Sequence, residues 1–317
     1  MRGQGAVTGS GNGAILSRTT HATGREKLLG HLAMVSFALL IAGSFSFGAL
    51  TAPHIGSAPL NAVRFTLAAA VIAVIAFGVR RQPVRIPDAP WRYLVLGALM
   101  AVYFVTMFVA LGIAKPVSVG AVFTLNPLLA ALFGVFVLGQ RARPVVIASL
   151  FVAGAGALWV IFRGDLEAFL GLRIGRGEAI FSVGVACHAL YAPLFRRMAR
   201  GEPVIVSTFW VLFFTTVCIA LYGAGEIVAT DWTAMPPVVW LAIGYLSIFA
   251  TATTFFLLQF ASLRLPAAKV FAYGYLTPAF IIVLEGLLGH GWASGAVLAG
   301  AVVIVAGLAI LALAPDG

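Results

Sequence analysis

The chain is written as long apolar runs separated by short polar connections. Residues 117–138, for example, hold no acidic or basic side chain and show no apolar–polar alternation. A run of roughly 20 apolar residues, rising about 1.5 Å per residue, crosses the ~30 Å hydrocarbon core of a bilayer. Where water does not reach the backbone, every amide must pair inside its own segment, so such a run is a helix; a barrel strand would alternate. Ten spans are predicted, near 31–50, 60–79, 91–111, 117–138, 144–162, 178–195, 204–225, 238–260, 267–288 and 292–313. The expected fold is all-α, integral to a membrane, with ten transmembrane helices. Residues 1–29, rich in Gly, Ser, Thr and Arg, are expected to form a disordered tail.

Composition agrees with this pattern. Of 317 residues 62% are hydrophobic and 9% charged, against about 45 to 50% and about 25% in soluble domains. The net charge of +10 would suggest a nucleic-acid partner in a soluble protein. Here the basic residues lie between the apolar runs and act as topology signals, so no nucleic acid is implied. Fourteen of the twenty fall on one side: Arg2, Arg18, Arg25 and Lys27 in the tail, then Arg80, Arg81, Arg85, Arg92, Arg141, Arg143, Arg196, Arg197, Arg200 and Arg264. Lys115, Arg163, Arg173 and Arg176 fall on the other. Basic residues in short loops stay cytoplasmic, so both termini are expected in the cytoplasm of a cell carrying this protein in its cytoplasmic membrane. Cys187 and Cys218 lie inside apolar runs with no metal-ligand spacing around them, and neither a disulfide, a metal nor a cofactor is implied.

An internal repeat organises the spans. A shift of 151 residues lays 103–127 on 254–278 and aligns Phe104 with Phe255, Leu125 with Leu276, and the mid-span prolines Pro127 and Pro278. Leu138-Gly139-Gln140 and Leu288-Gly289-His290 follow at nearly equal distances. Two five-helix repeats, 30–163 and 176–314, are expected, and because five is odd the second must insert upside down. In its ten-span layout, the Arg64-Phe65 pair, Ala110-Leu111, Asn126-Pro127, Ala261 and Thr277-Pro278, the chain resembles the EamA branch of the drug/metabolite transporter superfamily over about 31–313. The resemblance implies alternating access between inverted repeats, a cavity lined by spans one to four and six to nine, and export of small metabolites such as amino acids or their derivatives. An ion gradient, proton coupling among them, or exchange would drive it. The family often carries glutamate where this chain has Gln140 and His290, so no role transfers to those two positions.

Ionisable residues inside spans are candidates for function, because a charge at the bilayer centre costs about 2.5 to 3.5 kcal/mol on insertion scales. Arg64, His188, Lys269 and Glu285 qualify. Arg64, Lys269 and Glu285 lie within about a turn of predicted span ends, so snorkelling to the headgroups stands beside the functional reading. Arg64 and Glu285 are expected at similar depth near the outer face, where they would pair. His188 lies nearer a span centre, with a helix–helix hydrogen bond set against substrate contact. Pro127 and Pro278 loosen the preceding turn, and such breaks line substrate sites in transporters. Asn126, Tyr191, Tyr273 and Thr277 complete the cavity candidates. A membrane-embedded enzyme acting on a lipid or prenyl substrate is the rival from another class, but Asp165, Glu167 and Asp231 are scattered in loops without a paired acidic motif. No Walker A sequence supplies ATP binding.

Overall fold

In the computed structural model the chain is described over residues 22–51, 53–114, 119, 122–140, 143–171, 175–287 and 294–314. At 44–46, 48–50, 111, 112, 282 and 285–287 the description covers the backbone alone. The described residues are helical, with no strand among them. The main elements are α1 (Gly24–Thr51), α2 (Ser57–Val79), α3 (Trp91–Ile113), α4 (Asn126–Leu138), α5 (Pro144–Ile161), α6 (Arg176–Met198), α7 (Val204–Tyr222) and α8 (Pro237–Ser262), followed by α9 (Ala267–Ala272), α10 (Leu276–Leu287) and α11 (Gly295–Leu313). Eight of them, all but α4, α9 and α10, contain a stretch long and apolar enough to cross a membrane.

The fourth and ninth predicted spans are therefore not single long helices. A turn at Thr124 and Leu125 precedes α4, and a 3₁₀ turn, Tyr273–Tyr275, separates α9 from α10. Each break lies just before a proline, where the missing amide hydrogen removes a rung of the ladder. The expected tail also needs correction, because α1 starts at Gly24, inside residues 1–29. Arg264 holds this first turn through Glu26, at 2.8 Å, while its guanidinium stacks 3.4 Å from the ring centre of Phe260. A short helix, Leu166–Leu170, capped by Asp165 accepting from Ala168 N at 2.9 Å, occupies the polar midpoint where no helix was predicted.

Packing between the two repeats outweighs packing within either. Helix α3 lies against α6 and α7, and reciprocally α8 lies against α1 and α2; α4 packs on α6, and α10 on α1. The remaining major pairs join counterparts, α2 with α7, α4 with α9, and α5 with α11. A two-fold relation between repeats requires this reciprocity. Residues 151 apart also touch: the rings of Phe104 and Phe255 stack at 6.4 Å, and Tyr275 Oη donates to the carbonyl of Thr124 at 2.9 Å. The main apolar core draws on both repeats, so neither has a complete core of its own. Helices α5 and α11 form a separate layer with its own core.

The basic residues of the predicted cytoplasmic side gather at one end of the bundle. Arg197 donates to the Val137 carbonyl at the end of α4, at 2.8 Å, and Arg196 to that of Leu265, at 3.4 Å. Arg92 donates to the Met198 carbonyl closing α6 and pairs with Glu202 at 2.5 Å. Lys269 is buried and donates to the Ala314 carbonyl, at 2.6 Å, beyond the end of α11. Carbonyls at helix C-termini lack intrahelical partners and carry partial negative charge, so cations favour them. Neither Lys269 nor Arg64 extends to a headgroup layer, since both side chains are buried in the protein.

Candidate functional site

The break before α4 sets Asn126 against His188 at the contact between repeats. His188 on α6 and Asn126 at the start of α4 are both buried, and the Asn126 amide Nδ2 donates to His188 Nδ1 at 3.0 Å. This bond places the imidazole hydrogen on Nε2. The ring stacks on Tyr103 at 4.3 Å and lies 4.8 Å from Phe271 and 6.0 Å from Phe123 between centroids. Two polar side chains thus sit inside an aromatic enclosure drawn from α3, α6 and both broken segments.

Four buried polar atoms, Asn61 Oδ1, Asn126 Oδ1, Trp210 Nε1 and Thr277 Oγ1, lack a hydrogen-bond partner among the described residues. Asn126 and Thr277 are repeat counterparts, 151 residues apart, and each stands immediately before one of the paired prolines. A buried acceptor or hydroxyl left unpaired costs about 1 to 3 kcal/mol, and native interiors hold few of them. Two of the four thus stand at equivalent positions of the two repeats.

Other candidates fall into neighbouring clusters. Tyr191 on α6, fully buried, accepts from Gln259 Nε2 at 2.9 Å, while Gln259 Oε1 accepts from Thr208 Oγ1 at 3.2 Å. Tyr273, in the 3₁₀ turn, is 2.7 Å from His31 Nδ1 through its hydroxyl. Arg64 on α2 is buried beneath α8, where Nε donates to Thr251 Oγ1 at 2.5 Å and Nη2 to the Ala250 carbonyl at 3.1 Å. Pro127 and Pro278 lie in the first turns of α4 and α10. Glu285 belongs to α10, and its side chain lies outside the described ones, as do Leu288, Gly289 and His290.

The sequence reading missed Tyr103, Phe271, Gln259 and Thr251, which complete these clusters. Gln259 carried a signal, as a lone amide in the apolar run TTFFLLQFAS. Thr251 carried none, because its role depends on a π turn, Ile248–Thr253, which offsets the α-helical ladder by one residue. No group of three or more metal-ligating side chains occurs among the described residues.

Comparison with known proteins follows this architecture. The model of the EamA-like transporter family matches the chain twice, over residues 28–162 and 175–313. The aromatic amino acid exporter YddG of Ancylobacter novellus is 28% identical over 292 residues, covering 90% of this chain and 96% of that protein. The uncharacterized transporter YyaM of Bacillus subtilis strain 168 is 25% identical over 266 residues, with 82% and 86% covered. A crystal structure of a protein 24% identical superimposes with a TM-score of 0.74, over 92% of this chain and 98% of that one, which is a likeness of fold. With the family matched in both repeats, over most of its length, this chain is a member of the EamA-like transporter family.

Proposed function

We propose that this chain is a secondary transporter that exports small metabolites of the amino-acid class, aromatic ones foremost, across the cytoplasmic membrane. The observation that carries the substrate class is the unsatisfied Asn126 Oδ1 beside an imidazole walled by aromatic rings, with its repeat counterpart Thr277 Oγ1 likewise unsatisfied. Such an enclosure suits a molecule with one flat apolar face and a few polar atoms. Similarity to an aromatic amino acid exporter adds support. Alternating access would move two composite bodies rather than the two sequence repeats. One is α3 and α4 with α6, the other α8 and α10 with α1, because the members of each set pack on α6 or on α1 and the breaks at Thr124 and Tyr275 meet between them. Coupling to a proton gradient or to exchange supplies the energy, and both termini face the cytoplasm.

The test is flux in sealed proteoliposomes containing the purified protein. Labelled phenylalanine, tyrosine and tryptophan are compared with aliphatic and charged amino acids, with and without a pH gradient. Aromatic substrates are expected to move fastest. His188→Ala and Asn126→Ala should each lower that flux by about 10-fold or more, the equivalent of at least ~1.4 kcal/mol in the rate-limiting barrier. Absence of protein-dependent flux for every amino acid tested would reject the substrate class, and unchanged flux in both variants would move the site elsewhere.

A further inference from the structure

Among the described residues, Arg64 is a buried cation without an anion. Its side chain is 4% exposed, its two hydrogen bonds go to a hydroxyl and a carbonyl, and no carboxylate pairs with it among the described residues. A guanidinium carries five N–H donors and keeps its proton under all ordinary conditions. Withdrawing such a charge from water without a counter-charge is among the most costly arrangements a fold adopts. The site is nevertheless built. The π turn of α8 presents Thr251 Oγ1, which accepts from Arg64 and donates to the Leu246 carbonyl at 2.8 Å, so the guanidinium is held by one repeat while carried by the other. The Phe104 and Phe65 rings lie 5.1 and 5.7 Å from its central carbon. Phe104 in turn touches Tyr103, at 4.9 Å, and Tyr103 stacks on His188, so the cation and the polar enclosure are separated by two rings.

We propose that Arg64 is the point at which the transported molecule's carboxylate binds, the substrate supplying the counter-charge that the described residues do not. The proposal deepens the transport reading above and rests on it for the identity of the cargo. The occupant has a single carboxylate next to an apolar or aromatic body, since aromatic rings flank the guanidinium. Binding then neutralises a cation held across the interface of the repeats, which links occupancy to their relative arrangement. An Arg64–Glu285 pair, expected from topology, would instead fill the site with a residue of the chain.

The test is ligand-dependent thermal stability of the purified full-length protein in detergent, with 3-phenylpropionate, phenylalanine and phenethylamine as probes. The two carboxylates should stabilise the wild type at concentrations about 10- to 100-fold below those needed for the amine, the range for losing a charge-assisted hydrogen bond. Arg64→Gln should erase that preference while leaving the response to phenethylamine within about twofold, and Arg64→Lys should keep part of it. Equal stabilisation of the wild type by the amine and the carboxylates overturns the proposal, and this measurement needs no variant to fold. A preference that survives in Arg64→Gln, or that first appears in Glu285→Gln, also overturns it. Displacement of 3-phenylpropionate by phosphatidylglycerol but not by phosphatidylcholine would assign the cation to a lipid headgroup instead. If carboxylate binding depends on Arg64 but proteoliposomes move no amino acid, the cargo reading fails and the carboxylate site stands.

Discussion

Cations in this protein are settled by backbone carbonyls as much as by carboxylates. Arg92 shows how, with its guanidinium on the Met198 carbonyl, on Ala89 O at 3.3 Å and on Glu202 Oε1. Glu202 lies in the connection between α6 and α7, and its second oxygen accepts from Arg200 N at 2.8 Å. Partial burial pushes its carboxyl upward, but the bonds from Arg92 and from the backbone prevail and hold it below the ordinary carboxylate range. A carboxylate whose folded-state pKa is depressed stabilises the fold above its unfolded pKa, about 4.3, and that contribution disappears as pH falls through the lower folded value. Glu202→Gln is therefore expected to cost about 1 kcal/mol or less near pH 7, the scale of a half-exposed pair. Melting curves of the two proteins should converge as the pH falls below about 4. A gap that does not shrink with falling pH, or that opens only in acid, would contradict the assignment.

Among the helices, close approach depends on where side chains are missing. A β-carbon on Gly156 would lie 2.9 Å from the Gly300 carbonyl oxygen and the Ile304 nitrogen, and one on Gly307 would lie 2.8 Å from Ala153 N. These glycines let the backbones of α5 and α11 meet, as small residues do where lipid offers no hydrophobic drive to association. Gly244, in α8, has no heavy atom within 4 Å of its added β-carbon. Gly156→Ala is expected to destabilise the protein by about 1 to 3 kcal/mol through overpacking. Gly244→Ala should be neutral, or stabilise it by up to about 1 kcal/mol through helix propensity. Thermal unfolding in one detergent would compare them, and equal effects would mean that α5 and α11 separate more readily than their packing implies. At the broken spans the governing feature is proline, whose missing donor frees carbonyls one turn back, and the Thr124 carbonyl is met by Tyr275 from the other repeat.

Across the whole molecule, the repeats interlock instead of standing side by side. Every major contact of one repeat with the other has its reciprocal, and the connections bearing most of the basic residues converge on one end through the Arg92, Arg197 and Arg264 bonds. Reporters fused after Arg143 and Arg200 are expected in the cytoplasm, and those after Gly171 and Asp231 on the outer side. Measured activities that place Arg143 and Arg200 in different compartments would dismantle the odd-numbered repeat. The same convergence explains why α1 extends into the polar tail, since Glu26 gains a cation, Arg264, from the connection between α8 and α9.

The amino-acid sequence by itself determined the solvent, the helical character of the spans and the duplication. Each follows from local facts: run length against bilayer thickness, backbone pairing without water, and two prolines at a constant offset. It also singled out Arg64, Asn126 and His188, because a polar group in an apolar run is costly wherever it sits. Tertiary structure alone decided what satisfies them. Asn126 meets a histidine 62 residues away, Arg64 meets a threonine 187 residues away, and Lys269 turns out to cap α11. Those pairings depend on the crossing of helices from opposite repeats and, at Thr251, on one extra residue in a helical turn. Hydrophobic runs identify which segments enter the bilayer but not which faces meet there, since lipid and protein neighbours present the same apolar surface to a helix.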